Sequence, residues 1–407
     1  MAQQHRVDAM IIGGGIAGLW ILNRLCNRGY NAILVEQRAL GSFQTTASQG
    51  MIHGGIKYSL GGALTGASEA IAEMPDHWRA CLRGEGDVDL RAATLLSDHF
   101  YLWSTASMGS RLGGFLASKM TRGRVEKVTR FELPPIFDHG DFHGSLYRLI
   151  DLVVDVPSVI RALAENYRSR IFSLNHHQCR WLAQPNGRQR LQITTNHGGS
   201  VDELRIDAEA FIFAAGKGNG DLLAQIGATS PEMQLRPLHQ VMVKHNYPHR
   251  FFGHCVSIDK TPRLSISSHS LTDGSQVWYL GGSLAEKGVE QSAHDLIATA
   301  QQEMAELMPW IDFRGARWAT LAIDRAEPLQ ANRLRPDKAF AAWASPVANI
   351  IAAWPTKLTL APNLAHQVEG LLQAKGIVPS SDSCPSLPLQ QPDISATPWA
   401  EAFGHGH

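Results

Sequence analysis

The clearest pattern of apolar and polar positions lies in the first forty residues. VDAMII, from Val7, is a short apolar run with the character of a strand, and GGGIAG interrupts it at residues 13–18. Apolar residues then recur three and four apart through IAGLWILNRLCNRG, which predicts a helix ending at Gly29. AILVE, residues 32–36, predicts a second strand. Together these form a strand–helix–strand unit of about 30 residues. A related pattern returns at DLVVDVPSVIRALAENYRSR, where a strand leads into a helix from Asp151 onward. LQITTN and LRIDAEAFIFAAG read as strands, the second closed by Gly216. VMVKHN, RLSIS and VWYLGG read as strands of an antiparallel sheet. SAHDLIATAQQEMAELMPWI predicts a helix, NIIAAW a buried strand, and TLAPNLAHQVEGLLQAKG a helix ending at Gly376.

Segments of the strand–helix type therefore stand at the start, middle and end, with antiparallel segments between them. The predicted fold is α/β plus α+β: a discontinuous Rossmann-like dinucleotide domain with an inserted second domain built on an antiparallel sheet. The first domain is assigned 1–90, 150–228 and 346–376, and the second 91–149 and 229–345. Residues 377–407, rich in Ser and Pro, form a tail expected to be an extended strap or partly disordered.

Composition narrows the function. The 407 residues fit two domains. Lys plus Arg and Asp plus Glu are each 37, so no basic footprint points to nucleic acid. Five scattered cysteines without a C-x-x-C suggest neither a zinc ribbon nor a redox disulfide, and fit a reduced compartment. No run of 18 apolar residues exists, and the N-terminal apolar stretch is cut by three glycines, so neither a spanning helix nor a leader is expected. The expected location is cytoplasmic, with attachment at the inner face of a membrane left open.

Gly13, Gly15 and Gly18 have the spacing a pyrophosphate needs. The first makes the turn, the second permits close approach, and the third lets helix and strand pack. The helix N-terminus offers unpaired N–H groups to the phosphates. Glu36 ends the second strand, 21 residues after Gly15, where a carboxylate takes the ribose hydroxyls; Gln37 follows it. A second GxGxxG after a strand is missing, so a separate nicotinamide site is not expected.

The chain resembles the D-amino-acid oxidase and glycerol-3-phosphate dehydrogenase superfamily of FAD-dependent oxidoreductases over nearly its whole length. The resemblance rests on DAMIIGGGIAGLWILNRLCNRGYNAILVEQ, SQGMIHGGIKY, DAEAFIFAAGKGN, VWYLGG and TLAPNLAHQVEGLL. It implies an FAD domain and a substrate domain with a large antiparallel sheet. SQGMIHGGIKY is similar to the segment that runs along the pyrophosphate and ribityl chain to the flavin ring. On that basis Thr46, Ser48 and Gln49 face the cofactor and His53 sits beside the ring. Lys57 falls where relatives acting on a phosphate carry an arginine. Ala215 and Gly216 match the strand that passes the adenine-side phosphates. Thr356, Lys357, Leu358 and Thr359 occupy the loop before the last helix, where relatives place glycines. Trp354 in that loop is open to a role in shaping the pocket. Arg325, in ARWATLAIDRAEP, matches the arginine that holds a substrate carboxylate in amino-acid-oxidising members, although the flanking glycine and proline are absent.

Each of these residues has a plainer reading. Lys57 could be a solvated surface lysine, His53 a hydrogen-bonded loop histidine, and Arg325 an ion-pair partner of Asp324 or Glu327. His139 and His143, with Asp138 and Asp141, lie in a glycine-containing loop, and no metal is expected there. The activity implied is removal of a hydride from the CH–OH or CH–NH group of a small anionic substrate by an FAD enzyme, with His53, Lys57 and Arg325 at the reacting end. Electrons would pass to oxygen, a quinone or a carrier. A flavin monooxygenase and a non-catalytic FAD subunit of a hetero-oligomer are the competing readings.

Overall fold

The computed structural model describes residues 3–54, 71–106, 125–197, 200–256, 261–271, 273–331, 336–382 and 384–404. The strand Gln3–Ile12 lies at the heart of a mixed sheet. It pairs in parallel with Ser200–Phe213 on one side and Ala32–Glu36 on the other. Beyond Ala32–Glu36 lies Ile171–Ser173, also parallel. The long strand Ser200–Phe213 pairs first with the antiparallel ribbon Gln189–His197 and then, near its end, in parallel with Ile350–Trp354. Val7 to Ile11 are all buried, as a strand covered on both faces requires. Helices Ile16–Asn27, Val156–Asn166 and Ala361–Ala374 pack on one face through Leu19, Leu22, Ile160, Leu163, Leu364 and Val368.

The second large sheet runs, in spatial order, Arg317–Pro328, Met233–His245, Gln276–Gly281, Leu264–Ser270, Phe252–Cys255, Phe100–Trp103, Leu146–Leu149 and Val125–Lys127. All its neighbours are antiparallel except Phe252–Cys255 with Phe100–Trp103. Strand alternation sends Val241, Val243, Trp278 and Leu280 to one face, against Leu296, Ala300 and Met304 of helix Ala293–Leu307. Ser292 caps that helix by accepting from Asp295 N. The other face carries Met242, Val277 and Tyr279, which pack with Trp399 and Phe403, and Gln240, which accepts from Tyr279 OH. Leu152–Val154, which the sequence groups with the dinucleotide strands, instead pairs with Met51–Ile52 and Leu95–Ser97 in a small third sheet. The chain only rejoins the mixed sheet at Ile171.

The tail is a strap. Ser380 N donates to the buried Asp8 carboxylate, Ser173 N to Gln390 O, and Leu40 N to Asp393 O. A short helix, Pro398–Phe403, then seats Trp399 on the second sheet, stacked on His269 with ring centroids 3.8 Å apart. No helix among the described residues is long and apolar enough to cross a membrane.

Two buried histidines make stability pH-dependent. Burial lowers His269 to about 3 and His245 to about 4. Both are therefore neutral in the fold, whereas an unfolded histidine takes up a proton below about pH 6.5. Their contribution is complete above pH 6.5 and is lost as pH falls from 6.5 through those lowered values. By pH 4 the loss is roughly 3 kcal/mol for each residue. The midpoint of urea unfolding should fall over this window, and fall less in His269→Phe. A flat profile between pH 6.5 and 4 would show that these rings are not held neutral.

Candidate active site

The first strand ends in a turn that only glycines can make. Gly13 has φ +115°, and a Cβ there would lie 2.6 Å from Ala214 O. A Cβ on Gly18 would lie 1.8 Å from Gly13 O, so helix and turn touch without an intervening side chain. Gly15 is different. It is the N-cap of helix Ile16–Asn27 at an ordinary φ of −77°, and a Cβ there would meet only Thr45 Oγ1, at 3.0 Å. No side chain of the cap residue closes the helix. Thr45 Oγ1 accepts from Ile16 N at 3.2 Å. The start of the helix is thus left as a donor-lined concavity.

Glu36 closes one side. One carboxylate oxygen accepts from Gly14 N at 2.5 Å and the other from Arg38 N at 2.8 Å. Both oxygens keep further lone pairs for hydroxyl donors. Gln37 points away to His176, 3.0 Å from its Nδ1. Loop 37–49 then follows the helix end. Gly41 N donates to Gly14 O, and the buried Thr46 lies next to Thr45. Ser48 Oγ is buried with no hydrogen-bond partner among the described residues. Gln49 Nε2 donates to Tyr279 O at 2.8 Å, and Tyr279 OH donates to Ala47 O at 3.0 Å. These bonds tie the loop to the second sheet.

On the opposite side, Ala215 N donates to Asn219 Oδ1, and Asn219 Nδ2 to Ala353 O. Gly216, at φ +57°, accepts from Trp354 Nε1. Trp354 is fully buried in the core under the mixed sheet, so it supports this loop and does not line a cavity.

The loop reaches its far end at His53. His53 N donates to Thr359 Oγ1 at 3.1 Å, which joins it to the start of the last helix. Its ring stacks on His254, with centroids 5.4 Å apart, and meets Phe100 edge-on. His53 Nδ1 lies 3.8 Å from an oxygen of the buried Asp151. His254 Nδ1 is 2.8 Å from Ser265 Oγ. Two imidazoles and a carboxylate thus converge where the small sheet meets the large one. Thr356 adopts φ +60°, left-handed space in which a β-branched residue is strained and a glycine is not, and its hydroxyl donates to Lys338 O. Lys357 is largely buried and pairs with Asp337 at 3.2 Å. Leu358 and Thr359 open the short turn into helix Ala361–Ala374.

Arg325 lies on Arg317–Pro328, the edge strand of the second sheet. Its guanidinium donates to Arg236 O and lies 3.6 Å from Glu286. Asp324 pairs with Lys217, and the buried Glu327 is held at both oxygens by Arg236. Neither acid expected beside Arg325 is therefore its ion-pair partner. Arg325 is four residues, about 13 Å, along its strand from Leu321, which faces Gln240. Its neighbour Ala326 donates to Gln44, so Arg325 flanks the loop that carries Thr45 and Thr46. Lys57 lies outside the described residues. His139 stacks on Trp310 near Asp141, apart from this site.

Comparison with known proteins gives this arrangement its family. The model of the FAD dependent oxidoreductase family matches residues 8–329. The chain belongs to this family. A probable FAD-dependent oxidoreductase of Pseudomonas aeruginosa, PA4991, is 45% identical over 405 residues, spanning 99% of this chain and 100% of that one. The PA4991 crystal structure matches with a TM-score of 0.83 at 40% identity, over 99% and 100% of the two chains. A glycine oxidase from Geobacillus kaustophilus matches with a TM-score of 0.64 at 17% identity, over 93% and 100%, which speaks to the fold alone.

FAD is the cofactor of this family of oxidoreductases, and the residues present fit it. The glycine concavity, the helix N-terminus at Gly15 and Glu36 suit its adenosine and pyrophosphate. Ser48 supplies a buried hydroxyl that has no partner among the described residues. Three residues of the site escaped the sequence reading. Thr45 differs from Thr46 only in register. Asp151 and His254 each interrupt an apolar run, LIDLVV and FFGHCV, and that interruption was the available signal.

Proposed function

We propose that this oxidoreductase removes a hydride and a proton from a CH–OH or CH–NH group of a small anionic donor. Bound FAD supplies the hydride acceptor. The chain's own contribution is placement and proton handling, and the observation that carries the reading is the convergence of His53, Asp151 and His254 at the end of the cofactor-lining loop. His53 takes the hydroxyl proton while Asp151, 3.8 Å from Nδ1, favours the resulting imidazolium. His254 and Phe100 fix the plane of that ring. An amine donor needs no base, since only its deprotonated form reacts. Residues 1–90, 150–228 and 346–376 form the cofactor part and 91–149 and 229–345 the substrate part. Glycine oxidase and an L-α-glycerophosphate oxidase are among the similar structures. Amino acids, N-methyl amino acids, 2-hydroxy acids and glycerol 3-phosphate are accordingly the donors to try, with oxygen, a quinone or a carrier as acceptor. Anaerobic bleaching of the flavin by one of these tests the reading. Failure of all of them, with flavin bound, would favour a non-catalytic subunit.

Arg325 and Lys57 are proposed to supply positive charge for the donor. Glu286 already neutralises Arg325 in part, so a carboxylate ligand must compete with it. Arg325→Ala should weaken an anionic donor or inhibitor by about 2 to 4 kcal/mol, roughly 30- to 1000-fold, with flavin content unchanged. Spectral titration of the flavin gives the affinities, and equal values in the two proteins would make Arg325 a structural partner of Glu286.

A further inference from the structure

On the outer side of the first helix, a cluster of side chains with metal-ligand chemistry takes no part in the site described above. His77 and Cys81 are four residues apart on helix Met74–Arg83 and therefore share a face. The chain turns back immediately after this helix. Gly84 takes φ +76°, and a Cβ on Gly86 would lie 2.4 Å from Cys81 Sγ, so only glycine lets the turn wrap over the thiol. The turn delivers Asp87 against both side chains. One Asp87 oxygen is 2.7 Å from His77 Nε2 and 3.4 Å from Cys81 Sγ. The three ligand atoms lie within 4.8 Å of one another. A second histidine, His366 of the last long helix, places its Nε2 3.6 Å from the other Asp87 oxygen, and the two imidazoles are 6.0 Å apart.

We infer that His77, Cys81, Asp87 and His366 form a binding site for a divalent transition metal of the zinc or cobalt type. A nitrogen–sulfur–oxygen donor set of this kind suits borderline ions and not magnesium or calcium. The surroundings complete the site. The second Asp87 oxygen is held by Trp20 Nε1 at 3.3 Å and Arg24 Nη1 at 3.1 Å, which aims the first oxygen at His77 and Cys81. Arg24 is shared with Glu369, so its charge is not directed at the metal position alone. His77 and His366 are partly exposed, and a cavity of about 470 Å³ lined by Arg24, Arg28, His366 and Glu369 opens beside His366, giving an entry path. Binding forms a metal–sulfur bond and sends the thiol proton to solvent. At the same time the hydrogen on His77 Nε2 moves to Nδ1, freeing the Nε2 lone pair. The sequence expectation of no metal rests on cysteine spacing and on the loop of His139 and His143. This cluster escaped it because Asp87 and His366 are brought to the helix by tertiary packing.

The test uses the reduced flavoprotein and cobalt(II) alone. One equivalent should bind with a thiolate-to-cobalt absorption band, and zinc should displace it. Cys81→Ser should abolish the band, and His366→Ala should weaken binding about 10- to 100-fold, both with flavin content unchanged. Absence of the band in the parent protein, or equal cobalt affinity in parent and variants, would overturn the site and leave Asp87 as a hydrogen-bond hub between helices. If Cys81→Ser fails to fold, His77→Ala and His366→Ala carry the same comparison. Because flavin content and donor bleaching are read separately, failure here leaves the proposed oxidoreductase reaction untouched.

Discussion

Gly15→Val should purify folded but colourless, whereas Gly18→Val should not fold. The two glycines belong to one motif, yet they face different neighbours. At Gly18 the added carbon meets the backbone of Gly13 at 1.8 Å, and backbone inside a buried turn cannot move aside. At Gly15 an added Cβ meets only the Thr45 hydroxyl at 3.0 Å, at a φ open to any residue. The valine therefore fills the concavity at the helix N-terminus while the sheet and helix persist. Displacing the pyrophosphate removes about two charge-assisted hydrogen bonds, worth about 3 to 6 kcal/mol, or roughly 10²- to 10⁴-fold in FAD affinity. The readouts are flavin absorbance per protein, far-ultraviolet circular dichroism and FAD titration of the apo-protein. Full flavin content in Gly15→Val would place the phosphates elsewhere.

His53→Ala should slow anaerobic flavin reduction by a hydroxyl donor about 10²- to 10⁴-fold, the usual worth of a positioned base. Flavin should stay bound, because His53 is joined to its neighbours through its backbone N–H to Thr359, which the variant keeps. Added imidazole should restore part of the rate by filling the vacated space beside Asp151 and His254. Asp151→Asn should give a smaller loss that imidazole does not repair. An unaltered rate for a hydroxyl donor would reduce His53 to a loop residue packed between Phe100 and His254.

The dinucleotide half was legible because its signals are local. Glycine spacing, a single acid after the second strand and helical periodicity all fall within forty residues, and the strand, helix and strand formed where those patterns lie. Leu152–Val154 is legible as a buried strand, but not its partners, because a fully buried strand reads the same whichever neighbours it has. Asp151 and His254 could not be joined to His53 from sequence, since strands a hundred or more residues apart bring them together. The ion pairs of Arg325 were open for the same reason. Strand register sets Arg236 opposite Arg325 and diagonal to Glu327, with which it pairs, and tertiary packing gives Asp324 to Lys217 and Arg325 to Glu286.

Leu40 gives the strap a temporal meaning. Its side chain lies where a Cβ on Gly14 would go, and its backbone is clamped by Asp393 and Ser395, more than 350 positions later. The central strand Gln3–Ile12 likewise waits for Leu204–Phe213 to complete its pairing. During synthesis the nascent chain therefore carries a phosphate-binding motif long before it has walls to hold anything. The loop beside that motif is locked only when residues near 394 have left the ribosome, so its walls close long after the motif itself has been made.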